Sequence, residues 1–256
     1  MAPILNERIM SAVWDESRAQ ANEMLGEIER SLTSDALGES DSTFQDMKTI
    51  TINVIGSVGF GNNPSFTEAT NLEPPEGFKT TSMKSILTIV NNIFPAVFIP
   101  AGLMTLPFMP NGVQELGFAK AEFPQHLKKT IADERCSPTY NNTLIASLVR
   151  IADQDTTPAM KTSKTSTYLS EDEITGNLFN FTIAGFDTTA NTLTYAIAFL
   201  ALYPEWQDWV IEGIHEDLQQ CAGDYSTMFP LLTRCLALMV LKYPPPSIAA
   251  HLIHFF

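Results

Sequence analysis

The chain has 256 residues, 45% of them hydrophobic and only 17% charged. That is enough apolar material for a sizeable core, and it excludes the disordered, collagenous and disulfide-scaffold classes. Lys and Arg number 15 against 29 Asp and Glu, a net charge of −14, so phosphate-bearing partners are repelled and nucleic-acid binding is disfavoured.

Residues 4–33 read as a helix, with Ile9, Val13, Leu25, Ile28 and Leu32 keeping a rough helical period. A polar, acidic break follows at Ser34 to Ser42. Residues 43–60 form the next apolar helix, through Phe44, Met47, Ile50, Val54, Ile55 and Val58, and Gly56, Gly59 and Gly61 weaken and end it. Asn62 to Gly77 is a loop with three prolines, Pro64, Pro74 and Pro75. Residues 85–114 hold no charged side chain, a length that raises the question of a membrane span. Pro95, Pro100, Pro107, Pro110, Asn91 and Asn92 interrupt them, so the expectation is a broken apolar helix–loop that covers a pocket or touches a membrane surface peripherally. Residues 112–134 resume an amphipathic helix with Leu116, Phe123, Leu127 and Ile131 inward, and Leu144 to Ala152 is a short helix. Asp153 to Thr167 reads as a linker. With no convincing strand, the fold class is mainly α. Cys136, Cys221 and Cys235 are widely spaced, form no zinc pattern with the four histidines, and read as free thiols of an intracellular, reducing compartment. No metal ligands are assigned. The N-terminal residues carry charges early and lack the apolar run of a secretory signal or anchor.

The most informative segment is 170–202. Ser170 and Glu173 form a capping box, and Glu171, Asp172 and Glu173 lie where the helix dipole favours negative charge. Pro204 follows the far end. After Glu173 the segment carries a single charge, Asp187, and a helix apolar nearly all round is expected to be buried on both sides. An acid there is costly unless paired or given a task. Gly185, Thr188, Thr189 and Thr192 recur at i, i+3, i+4 and i+7, which offers a notch followed by hydroxyls beside the acid. Such a face suits proton relay to an oxygen species in a dry pocket; a core helix with satisfied threonines and a salt-bridged Asp187 fits the same pattern.

Ala184-Gly185-Phe186-Asp187-Thr188-Thr189 resembles the A-G-x-D/E-T-T/S signature in the long distal helix of cytochromes P450. Tyr203-Pro204-Glu205-Trp206-Gln207 resembles the start of that family's next helix, whose apolar face would be Trp206, Trp209, Val210, Ile214 and Leu218. Phe44 to Gly61 resembles an earlier helix ending in Phe-Gly, and 85–114 falls where the family has its access-channel helices. The resemblance covers roughly residues 1–243 and is closest to the fungal-like branch. It implies a haem-thiolate monooxygenase that oxidises an apolar small molecule with O2 and electrons from a reductase, usually at the endoplasmic-reticulum membrane. By the same resemblance Ala184, Gly185 and Thr189 would line the haem's distal side. Asp187 and Thr188 would be the acid–alcohol pair that delivers protons, and Phe181 and Thr192 would border the substrate.

The family's F-x-x-G-x-R-x-C-x-G loop, which supplies the thiolate ligand, and its E-x-x-R pair are absent. Cys235 sits in an apolar run, Leu231 to Met239, without a glycine loop. Glu27-x-x-Arg30 lies in the wrong region and reads as a solvated helix pair. The resemblance thus implies one incomplete domain over 1–256, the distal middle of a P450 without its N-terminal anchor or its C-terminal haem-thiolate half, with 247–256 unassigned. As written, the chain is expected to be inactive. The alternative is a non-catalytic P450-like protein that binds a lipid-like ligand or a full-length relative. Leaving about 400 Å² of apolar surface open would forfeit on the order of 10 kcal/mol, so the chain is also expected to be marginal alone.

Overall fold

The structure is a computed structural model, and it describes residues 6–34, 42–62, 65–67, 73–136, 143–154, 170–218 and 225–232. The linker expected at Asp153 to Thr167, the tail, and both Cys221 and Cys235 lie wholly or largely outside these. The described residues form ten helices and no strand: α1 (Glu7–Ser34), α2 (Thr43–Phe60), α3 (Ser82–Asn91), α4 (Ile93–Phe98), α5 (Ala101–Met104), α6 (Asn111–Cys136), α7 (Leu144–Gln154), α8 (Glu171–Leu202), α9 (Pro204–Leu218) and α10 (Tyr225–Leu232). The chain divides into two compact units, Met1–Thr189 and Ala190–Phe256.

Local chemistry sets the helix ends. Gly61 takes a φ of 75°, and the N–H groups of Gly61 and Asn62 close α2 on the carbonyls of Ser57 and Gly56, a left-handed cap that favours glycine. Thr81 caps α3 by accepting from the Lys84 N–H at 3.1 Å. The uncharged stretch is broken as expected, but not at every proline. The first break is at Asn92, whereas Pro95 sits in the opening turn of α4, where a missing N–H costs nothing. Pro100 and Pro110 immediately precede α5 and α6.

In the first unit, the core joins Ile52 and Phe60 of α2, Met83, Ile86 and Ile89 of α3, Leu116, Phe123, Leu127 and Ile131 of α6, Ile145 and Leu148 of α7, and Ile174, Leu178 and Phe186 of α8. The inward face expected of α6 is thus the one observed. Packing there is tight at Gly117: an added Cβ would lie 2.7 Å from Met104 Cβ, 2.9 Å from Thr105 Cγ2 and 3.2 Å from the Met104 carbonyl carbon. Gly117→Ala is therefore expected to cost about 1–3 kcal/mol. Gly56→Ala would strike only the flexible end of Met83, at 2.4 Å, and should cost less. Urea unfolding midpoints of the two variants check this order; equal midpoints would mean that the α5–α6 contact yields as readily as the Met83 side chain.

The loop before α3 is tied to α6 by polar contacts. Glu122 accepts from the N–H groups of Lys79 and Thr80 at 3.0 and 2.9 Å, and from the Thr80 hydroxyl at 2.8 Å. One turn on, buried His126 lies with Nε2 3.0 Å from the Thr80 carbonyl and stacks on Phe78 with ring centroids 4.0 Å apart. Burial holds the imidazole below its ordinary pKa of 6.5, against the opposing pull of the Thr80 bond and Glu122. The unfolded chain therefore takes up this proton first as pH falls. The stabilisation is complete above about pH 6.5 and is lost as pH drops toward the folded value. Unfolding midpoints should fall on mild acidification, and His126→Gln should flatten that part of the profile.

In the second unit, Val210 of α9 is buried among Leu200, Trp209 and Ile214. Trp206 and Trp209 meet edge to face at 5.6 Å.

Candidate functional site

The site is built on α8. Its start is the capping box: Ser170 Oγ accepts from the Glu173 N–H at 3.2 Å, and Glu173 accepts from the Ser170 N–H at 2.7 Å. These bonds hold the exposed Glu173 carboxyl below its ordinary pKa. From there one face of the helix enters the core through Ile174, Leu178, Thr182 and Phe186. Thr182 satisfies its hydroxyl by donating to the Leu178 carbonyl at 2.7 Å.

Helix α2 packs against α8 at Gly185–Asp187. An added Cβ on Gly185 would lie 3.3 Å from Ile55 Cδ1, so Ile55 already occupies the space beside this glycine. Phe186 is wholly buried. Lys48 Nζ stands 5.9 Å from its ring centroid, 4.6 Å from that of Phe44, and 3.9 Å from Asp187 Oδ1. Lys48 also donates to Asn91 Oδ1, at the end of α3, at 3.0 Å.

Elsewhere around the helix the surface is open. Phe181, Ala184 and Thr188 are exposed, at i, i+3 and i+7, and so is Thr189. This corrects the expectation that α8 is buried on both sides, since that stripe of the helix is exposed. Thr188 Oγ1 donates to the Ala184 carbonyl one turn back, which holds its proton in place. The Asp187 side chain is 44% exposed, and the cost expected for a buried acid is avoided by solvent and by Lys48. Thr192 is exposed in the second unit.

Residues 7–237 match the family described as "Cytochrome P450". The chain belongs to the cytochrome P450 family. Among curated relatives, it is 29% identical over 255 residues to the "Phomenoic acid biosynthesis cluster cytochrome P450 monooxygenase" of Leptosphaeria maculans, covering 93% of this chain and 42% of that protein. It is 26% identical to "Cytochrome P450 monooxygenase ORF6" of Penicillium roqueforti, covering 84% of this chain and 37% of the relative. The crystal structure of the cytochrome P450DA heme domain superposes with a TM-score of 0.65 at 16% identity, over 92% of this chain and 46% of that one. The mainly α fold is thus a partial P450 fold. The chain spans about two fifths of the length of these two curated relatives.

The P450 family implies a haem. The open stripe of α8 fits one side of a planar ring: Ala184 and Thr188 leave a low surface, with Phe181 at its edge. The ligand for the iron is a different matter. Helices α6 and α8 run antiparallel, with Phe123 beside Phe179 at 5.7 Å and Lys128 beside Asp172 at 3.7 Å. Thr188 lies sixteen residues beyond Asp172 in one direction, about 24 Å at about 1.5 Å per residue. Exposed Cys136 lies eight residues beyond Lys128 in the other. Cys136 therefore cannot reach an iron resting on the stripe. Among the described residues no cluster of His, Cys, Asp and Glu could hold a metal ion either.

Neither Lys48 nor Asn91 belongs to a motif of the sequence. A signal is nevertheless present: Lys48 is the lone basic residue of Thr43–Phe60, as Asp187 is the lone charge of α8 after Glu173. A lone base in one apolar helix and a lone acid in the apolar run of another are candidates for each other.

Proposed function

We propose that this chain is the distal part of a haem-thiolate monooxygenase that oxidises an apolar small molecule, using O2 and electrons from a reductase. The observation that carries the reading is the open Ala184–Thr188 stripe beside a half-exposed Asp187, on the long helix of a P450 family member. A haem held against Ala184 and Thr188 would supply oxygen activation. Asp187 would take a proton from solvent at its carboxylate and pass it to the Thr188 hydroxyl. Thr188, on releasing the Ala184 carbonyl, would give its own hydroxyl proton outward as it takes the one from Asp187. Gly185 and Thr189 would flank the ring, and Phe181 and Thr192 would border the substrate. The name of the Leptosphaeria relative, a biosynthesis-cluster enzyme, supports a role in secondary metabolism. We take residues 1–256 as a single incomplete domain.

Exposed Phe94, Val97, Phe98, Leu103 and Phe108 on and after α4 and α5 support a peripheral contact with an intracellular membrane, which for this family would be the endoplasmic reticulum. No helix among the described residues is long and apolar enough to cross a membrane.

A second reading is that the chain does no chemistry and binds a lipid-like ligand or a full-length relative; the remoteness of Cys136 from the stripe favours it. The reduced, carbon-monoxide difference spectrum of the chain purified from haem-supplemented cells separates the two. A red-shifted thiolate band is the result expected if the chain ligates haem through cysteine. Haem-free protein would leave oxygen chemistry to the longer enzyme and support the second reading for this chain.

A further inference from the structure

The geometry points to Lys48 as the positioning residue for Asp187, and through Asn91 as the link between that acid and the α3–α4 joint. The inference rests on the reading of Asp187 as the proton-delivering acid. The lysine stem is largely buried, its side chain only 13% exposed, and its ammonium lies near the rings of Phe44 and Phe186. An ammonium so placed needs oxygen partners. It has one firm bond, to Asn91 Oδ1 at 3.0 Å. Its second partner, Asp187 Oδ1 at 3.9 Å, is beyond hydrogen-bond length but within ion-pair range. Lys48 therefore acts on Asp187 through charge, at a range where the position of the ammonium decides the pull on the carboxylate.

Asn91 is the last residue of α3, and Asn92 separates α3 from the exposed apolar helix α4. The Asn91–Lys48–Asp187 chain thus joins three helices at two polar contacts, all within the first unit. A shift of the α3–α4 joint pulls on Lys48 and changes where the acid points. The residues that would feel a substrate entering past α4 are in this way coupled to the acid that serves the chemistry.

Two measurements test this. In the full chain, hydrogen exchange of Lys48→Met should speed by about tenfold at the end of α3 and around Asp187, while α6 and α7 stay unchanged and Lys48→Arg restores the slow rates. Unchanged exchange around Asp187 would overturn the link, as would a uniform speeding of the whole first unit. Should Lys48→Met be insoluble, Asn91→Ala replaces it, with the same pattern at smaller size. In the complete haem-loaded enzyme, Lys48→Met should lower kcat about tenfold through misplacement of the acid, with KM within about twofold and partial rescue by Lys48→Arg. If Asp187→Asn lowers kcat and Lys48→Met does not, Lys48 has no positioning role. If Asp187→Asn leaves kcat unchanged, the acid assignment itself is wrong, while hydrogen exchange still judges the link.

Discussion

Asp187→Asn in the complete, haem-loaded enzyme should lower kcat by about 10²–10³-fold, with haem content and KM retained. The substitution keeps the shape of the side chain and removes only its capacity to carry a proton. At 44% exposure, Asp187 contributes little to folding, so the change in stability should stay within about 0.5 kcal/mol. Thr188→Ala acts differently. It deletes the hydroxyl that donates to the Ala184 carbonyl and leaves the exposed end of the relay without a donor. Turnover should fall by about tenfold, and electron consumption should outrun product formation, because reduced oxygen is lost before the substrate is attacked. Thermal melts identify any variant that is merely misfolded. Turnover and coupling that ignore both substitutions would remove Asp187 and Thr188 from the mechanism.

What was legible in the sequence was what local chemistry decides. The Ser170–Glu173 box opens α8 where the pattern puts it, because both bonds of the box lie within four residues. The period of Leu116, Phe123, Leu127 and Ile131 marks the inward face of α6 because a helix presents one stripe to one core. The failures all depend on contacts made across the chain. The apolar composition of α8 implies cover on every side, yet one stripe is open. The neighbour of the Gly185 notch, Ile55, is likewise set by another helix, α2. The prolines in 85–114 read alike, whereas Pro95 opens a helix and Pro100 precedes one. Lys48 went unmarked because its value depends on where α2 meets α8.

Phe94→Ser combined with Phe98→Ser should lower binding to phosphatidylcholine vesicles by 100-fold or more. Phe94 and Phe98 are 77% and 79% exposed, an unusual cost for two large apolar side chains unless something else covers them. Each would gain about 1.5–3 kcal/mol on leaving water, and the two together span at least two decades of affinity. Lys120 from α6 donates to the carbonyls of Ala96 and Ile99, which covers two carbonyls at and just after the end of α4 and lowers the cost of bringing that short helix into an apolar phase. With a net charge of −14, the chain gains nothing from anionic lipid, so binding should persist in high salt and weaken as phosphatidylserine is added. Lys120→Met should reduce binding while leaving the two phenylalanines in place, because the carbonyls it covers would then resist transfer. If the double variant binds vesicles as well as the parent but changes from oligomer to monomer, the face is a protein contact, and the membrane reading falls.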